Sequence, residues 1–257
     1  MQVIAADTAT REDRILIDNN DPVFVSIVVP TLNEAANICS LVQPLRKFPE
    51  AEIIFADGGS CDGTQRAIAS QNTGGKIRLV HAPCSRARQM NAGAKVAGGE
   101  WLIFLHADTI LPARSLQNFL RFVRANPQLA AGAFTFRVDH PRRVYRYLEF
   151  YVGLRCRWLK LPYGDQAIFV KRKVFEEIGG YCDDFSLMED VDLVRRLNQR
   201  NGFAILKFPV YTSARRFEAD GYLRRALGNF YLQLLYALGV SPSKLAEKYW
   251  KKTVARS

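Results

Sequence analysis

Between Val23 and Asp108 the chain repeats one pattern: a short apolar run rich in β-branched residues, a polar loop, then a segment with helical spacing. The first run, Val23 to Val29, is ended by Pro30, as expected of a buried parallel strand entering a loop. Ile38, Leu41, Val42 and Leu45 then fall at helical spacing over Glu34 to Phe48, and Glu52 to Ala56 reads as a second strand. Asp57 to Thr64 is turn chemistry, followed by a helix through Ser70 and a third strand from Lys76 to Val80. A helix from Arg86 to Ala97 stops at Gly98-Gly99, and Glu100 to Leu105 forms a fourth strand that ends in His106-Ala107-Asp108. Such alternation predicts an open parallel α/β sheet, which binds ligands beyond the carboxyl ends of its strands where the strand order switches. Glu34, Asp57 and Asp108 all fall at that edge.

The second half is more mixed. Ala133 to Val138 and Ala167 to Val170 read as strands, and Arg142 to Trp158 and Glu189 to Asn201 as helices. With 257 residues the chain is expected to form one large domain with short appendages. Residues 1–22 read as a polar N-terminal extension, 23–220 as the domain, and 221–257 as a helical, basic segment packed on the domain or on a membrane. Hydrophobic residues at 48% and charged ones at 24% argue against a disordered or fibrous chain.

The formal charge of +11 favours an anionic partner: a phosphorylated small molecule, an anionic membrane surface or nucleic acid. Five cysteines without a Cys-x-x-Cys spacing fit neither a disulfide framework nor a structural zinc site, and point to a reducing cytoplasm. Residues 1–22 lack the apolar core of a secretory signal, so no export is expected. Ala226 to Val240 contains Asn229 and Gln233 and falls short of the ~20 residues that span a bilayer.

Each polar loop supports two readings. Asn33 or Thr31 is suited to cap the next helix, with Glu34 favouring its positive end, and Asp57-Gly58-Gly59-Ser60 is good turn sequence with no chemistry required. His106 and Asp108, two apart in extended backbone, point the same way and suit a shared divalent ion, Mg²⁺ or Mn²⁺, beside a diphosphate; a turn cap is the alternative. Glu189, Asp190 and Asp192 open a helix, where they complement its dipole or supply a general base.

Taken together, these segments resemble glycosyltransferase family 2, the inverting nucleotide-sugar enzymes of the GT-A fold. The resemblance runs from Val25 to Val210 and rests on Ser26 to Glu34, Asp57 to Ser60, Asn91-Ala92-Gly93, Leu105 to Asp108 and Glu189-Asp190. It implies an open, mostly parallel twisted sheet with a Rossmann-like nucleotide-binding half, a mixed α/β acceptor half and C-terminal helices. It further implies that Pro30, Glu34 and Asp57 line the nucleotide pocket, that Asp108 holds Mn²⁺ or Mg²⁺ on the donor diphosphate, and that Asp190, beside Glu189, is the catalytic base. Two departures stand out. His106 occupies the place where the family's metal motif usually has Asp, and Met90 the place of a common basic residue, leaving Arg86 and Arg88 to supply charge to the nucleotide.

More narrowly, Ser85 to Asn91, Leu105 to Thr109, Tyr163 to Ala167 and Thr212 to Phe217 resemble a bacterial subfamily whose genes often accompany radical-SAM genes. Gly164, Asp165 and Gln166 would then sit where the fold binds donor sugar or acceptor, and Arg215 and Arg216 where it closes on the diphosphate.

Arg142 to Lys160 interleaves arginines with Tyr145, Tyr147, Phe150, Tyr151 and Trp158, a face suited either to anionic lipid or to an ordinary core helix with a solvated side. Leu223, Leu227, Phe230, Leu234 and Leu238 follow helical spacing ahead of Lys244, Lys248, Lys251 and Lys252, with the same two readings. A peripheral place on the inner membrane face, with a lipid-linked acceptor, would fit the first. Rival readings are a nucleotidyltransferase-like enzyme and a nonenzymatic basic module. The first lacks a Gly-rich phosphate loop after strand one, and the second leaves the carboxylate-tipped strands unexplained, with no nucleic-acid motif and no nucleic-acid partner expected.

Overall fold

The computed structural model describes residues 23–72, 74–185, 187–215, 218, 228, 231–236, 238–242 and 244–245. The N-terminal extension, Arg216 and most of the C-terminal segment, including Leu223, Leu227, Phe230, Lys248, Lys251 and Lys252, lie outside the described residues.

Four strands run in parallel: β1 (Val25–Thr31), β2 (Ala51–Asp57), β3 (Ile77–His81) and β4 (Trp101–Phe104). They are joined by α1 (Ala35–Val42), α2 (Thr64–Gln71) and α3 (Arg86–Lys95). The first helix is shorter than its apolar spacing suggests, because Pro44, which has no amide hydrogen, sits in a 3-10 turn over Gln43–Leu45. The later elements are β5 (Thr109–Ile110), α4 (Ala113–Ala125), β6 (Ala131–Asp139), α5 (Arg143–Leu159), β7 (Ile168–Lys171), α6 (Arg172–Glu177), α7 (Glu189–Asn198) and β8 (Phe203–Ser213). They complete one sheet of order β3-β2-β1-β4-β7-β6-β8-β5. β7 is antiparallel to both β4 and β6, β6 is parallel to β8, and β5 is antiparallel to β8, so the sheet is parallel in its first half and mixed in its second.

Alternating residues of each central strand supply two separate cores, as the period of two requires. Val25, Ile27, Val29, Ile53, Phe55, Trp101 and Ile103 meet α1, α2 and α4 on one face. Val28, Ile54, Leu102, Phe104, Ile168 and Val170 meet α3, α6 and α7 on the other. Helix α3 lies very close to the sheet: a Cβ on Gly93 would stand 2.4 Å from Val28 Cγ1. At the far end of β6, Phe136 and Val138 pack against Tyr145, Val152 and Cys156 of α5.

The edge of the sheet away from the carboxylate loops is tied by a polar cluster. Ser26 Oγ donates to Glu52 Oε1 at 2.6 Å, while the Gly98 and Gly99 amides donate to Glu52 Oε1 and Ser26 Oγ at 2.7 and 2.9 Å. Glu52, 6% exposed, is therefore structural.

Candidate active site

Order reverses at β1, with β2 on one side and β4 on the other, so the ends of these strands flank the crevice where an α/β sheet binds ligands. The loops that leave β1 and β2 are stapled together. Asn33, in the left-handed region at φ 55°, donates its amide to Ser60 Oγ at 2.9 Å and accepts from the Cys61 amide at 2.9 Å. The Glu34 amide donates to Thr64 Oγ1 at 2.8 Å, and the Ala35 amide to Asp62 Oδ2 at 3.1 Å. The orphan amides at the start of α1 are thus capped from the neighbouring loop rather than by Thr31 or Asn33.

Asp57 is buried at the end of β2 and accepts from the Gly59 and Ser60 amides, the Ser60 hydroxyl and Gln65 Nε2. Burial alone would raise its proton affinity; these hydrogen bonds outweigh burial and hold the carboxyl below its ordinary range. Pro30 is buried within β1, opposite Ala56. Glu34 accepts from Asn37 Nδ2 and lies 3.8 Å from Arg215 Nη2, which brings two of the sequence-predicted residues together.

The loop after β4 carries His106 and Asp108, both half-buried. The Asp108 carbonyl accepts from the Ser213 amide at 3.0 Å, and Thr109 Oγ1 and Thr212 Oγ1 are 3.1 Å apart, so β8 fixes this loop. Opposite stands a 3-10 turn over Gly164–Gln166. A Cβ on Gly164 would be 2.7 Å from His106 Nε2 and 3.4 Å from Asp190 Oδ2, so only glycine permits this approach.

The three carboxylates that open α7 are sorted by their partners. Asp192 Oδ2 accepts from both Arg196 Nε and Nη2, at 2.9 and 2.6 Å. Glu189, 2% exposed, pairs with Arg86 Nε at 2.8 Å, and its Oε2 is buried without a hydrogen-bond partner. Burial pushes its carboxyl up, against the Arg86 charge, with Asp190 adding to the rise. Asp190 Oδ2 accepts the Gly164 amide at 2.7 Å and Oδ1 the Val191 amide at 2.8 Å. Asp165 completes the group. Its Oδ1 is shut from solvent without a partner, and burial, reinforced by Asp190 and Asp108 against Arg155, raises its pKa to about 6.

His106, Asp108, Gly164, Asp165 and Asp190 therefore converge. Gln166 supports the turn from behind: Arg155, Cys156 and the Tyr163 amide donate to its Oε1, and its Nε2 donates to the Phe134 carbonyl at 3.1 Å. Arg86 reaches Glu189, while Arg88 is exposed on α3.

Two further residues support the site without a role in the sequence reading, although Asn91 belongs to a motif that carries the resemblance. Gln89 Nε2 bridges the Thr31 and Ala56 carbonyls at 2.8 and 2.7 Å, joining the ends of β1 and β2; its signal is a polar residue on the apolar face of a helix, next to Met90. Asn91 exchanges two hydrogen bonds with the Tyr181 backbone and donates to Asp183, tying α3 to the segment before α7. Among the described residues no three His, Cys, Asp or Glu side chains stand together as a complete metal-binding set.

The fold is that of solved GT-A structures. The chain superposes on S. aureus TarS 1-349 in complex with UDP with TM-score 0.62 and 17% identity, covering 74% of this chain and 60% of that one. It superposes on the mannosyltransferase PcManGT from Pyrobaculum calidifontis, in complex with GDP-Man and Mn²⁺, with TM-score 0.57 and 21% identity, covering 77% and 59%. In sequence it is 23% identical over 199 residues to an uncharacterized glycosyltransferase of Haemophilus influenzae, covering 72% of this chain and 65% of that protein. It is 29% identical over 180 residues to a PGL/p-HBAD biosynthesis glycosyltransferase of Mycobacterium bovis, covering 66% and 68%. The matched stretches thus span about two thirds of those relatives' lengths. Residues 26–189, from the second residue of β1 to the first residue of α7, match the model of the glycosyl transferase family 2 domain, and by that match over more than half its length the chain belongs to glycosyl transferase family 2.

Proposed function

We propose that this chain transfers a sugar from a nucleotide-diphosphate sugar to an acceptor hydroxyl with inversion, Asp190 acting as general base. The observation that carries this reading is the convergence at Gly164, whose amide holds Asp190 while its missing side chain leaves room beside His106. The ligands of the structural neighbours, UDP and GDP-Man, support a donor of that class. The acceptor oxygen attacks the anomeric carbon opposite the diphosphate; its proton passes to the Asp190 carboxylate, and the carbon–oxygen bond to the diphosphate breaks with its electron pair leaving on the phosphate. The Gly164 amide orients the carboxylate, and the Arg86–Glu189 pair fixes the helix turn that bears it. Pro30, Glu34 and Asp57 are assigned to the nucleotide, Arg88 and Arg215 to its phosphates, and Gly164, Asp165 and Gln166 to the wall that meets sugar and acceptor.

A divalent ion fits the residues present. One carboxylate, Asp108, and one imidazole, His106, form a partial set beside a space that a Cβ would fill, and substrate phosphates would complete it. Mn²⁺ accepts both donor types, and Mg²⁺ favours the carboxylate. When bound, such an ion neutralises charge on the departing diphosphate.

The test uses the full chain with UDP- and GDP-sugars, following donor binding by thermal shift and slow donor hydrolysis by NMR, with water as acceptor. Asp190→Asn is expected to keep the binding shift and lose on the order of 10²-fold or more in hydrolysis. Chelator is expected to weaken donor binding, as is Asp108→Ala. Near-normal hydrolysis by Asp190→Asn overturns its role, release of the retained anomer overturns inversion, and binding indifferent to chelator overturns the ion.

A further inference from the structure

Helix α5 divides sharply into two faces. Tyr145, Val152 and Cys156 are buried against β6, whereas Tyr147, Phe150, Tyr151, Leu154 and Trp158 recur at helical spacing on the opposite side. Tyr147, Phe150 and Trp158 are 73%, 72% and 77% exposed, so this stripe is open to solvent along most of the 17-residue helix. Apolar patches of that kind mark contact surfaces.

The charges around the stripe identify the partner. Arg142, Arg143, Arg146, Arg157 and Lys160 are exposed beside it. The one carboxylate between Arg142 and Lys160, Glu149, is 5% exposed and turned inward, paired with Arg137 and Arg146. Apart from Arg146, which Glu149 neutralises, the outer surface of α5 therefore combines aromatic rings with positive charge that no carboxylate of the helix offsets. A second copy of the chain pressed against this face would set like charges together, and an acidic lipid surface would neutralise them. Trp and Tyr with flanking Arg and Lys are the residues that settle at the headgroup level of a bilayer.

We propose that α5 docks the protein on an anionic membrane, with Phe150, Leu154 and Trp158 entering the interface and Arg142, Arg143 and Arg157 meeting lipid phosphates. The inner side of the same helix reaches the candidate site. Arg155 donates to Gln166 Oε1 at 3.2 Å and stacks 3.5 Å over the Tyr163 ring, and Cys156 donates to the same Gln166 oxygen. Those residues flank Gly164, which holds Asp190. If the reading of Asp190 above is right, which this last step requires, docking brings an acceptor hydroxyl carried at lipid headgroups toward the base. The docking itself rests on α5 alone.

The experiment is co-sedimentation of the purified full chain with vesicles of phosphatidylcholine, or of equal parts phosphatidylcholine and phosphatidylglycerol. Binding is expected to the mixed vesicles only and to weaken as salt rises. Phe150→Ser with Trp158→Ser should lower apparent affinity on the order of tenfold or more, and Arg143→Glu with Arg157→Glu should lower it similarly. All four side chains are exposed, so melting temperature and the donor-induced thermal shift should stay unchanged. Asp190→Asn should bind vesicles like the wild type, which separates docking from catalysis. No binding at low salt overturns the proposal. So does equal binding by the variants, which would assign the contact to the C-terminal segment, where Leu234 and Leu238 are also exposed. A concentration-dependent dimer that the Phe150/Trp158 variant abolishes would make a second copy the occupant and overturn it as well.

Discussion

Gly164 occupies a position where the absence of one carbon decides the geometry of two functional groups. Gly164→Ala would place a methyl 2.7 Å from His106 Nε2, and the imidazole or the turn must move. Because a displacement near 1 Å can cost about 10²-fold in rate, donor hydrolysis should fall by roughly that factor. The melting temperature should change by only a few degrees, since the clash is with the tip of a side chain; a variant with wild-type rate and fold would sink the positioning role. Sequence made some of this site visible and hid the rest for a definite reason. Glu34, Asp57 and Asp108 could be read because each follows an apolar strand, so strand direction alone carries them to one edge. Spacing alone does not rank Glu189, Asp190 and Asp192, and only the family resemblance singles out Asp190, because what distinguishes them comes from Arg86, Gly164 and Arg196, and two of those partners lie on other segments.

At the scale of elements, the parallel half follows its apolar pattern to within a few residues, while α4, α6 and β8 fall outside the sequence reading, α4 even though Leu116, Phe119, Leu120 and Val123 keep helical spacing. Phe203–Ser213 is rich in β-branched and aromatic residues, but Lys207 and Pro209 interrupt the run. The pairing of β6 with β8 explains how the interruption is tolerated: the register shifts between Ala133 and Thr135, and Pro209 faces Thr135 after the irregularity. Close packing of these strands gives a stability prediction. A Cβ on Gly132 would stand 2.0 Å from the Ala204 carbonyl oxygen and 2.5 Å from Phe169 Cζ. Gly132→Ala should therefore destabilise the fold by about 2 kcal/mol or more, lowering the melting temperature by roughly 4–8 °C. A calorimetric scan within about 1 °C of wild type would contradict that packing.

For the molecule as a whole, Asp165, lying beside Asp108 and Asp190, links stability to pH. Asp165 binds its proton more tightly in the folded state, at about 6 against an ordinary 3.8, so its contribution is greatest in acid, declines as pH rises through that interval, and is constant above it. Asp165→Asn removes the decline. In chelator, the variant's melting temperature relative to wild type should rise between pH 4 and 6 (roughly the interval between the two values) and then level off; a difference independent of pH would refute the assignment. Across the described residues no helix is long and apolar enough to cross a bilayer. Connectivity adds a consequence in time. Strands β1 to β3 pair with near neighbours in the chain, as Ser26 with Glu52, 26 residues apart, whereas Thr109 meets Thr212 across 103. Contacts that close longer loops cost more entropy and form later. The loop bearing Asp108 is held by the Ser213 amide, so during synthesis the parallel half can assemble on the ribosome while Asp108 is secured only after β8 has emerged.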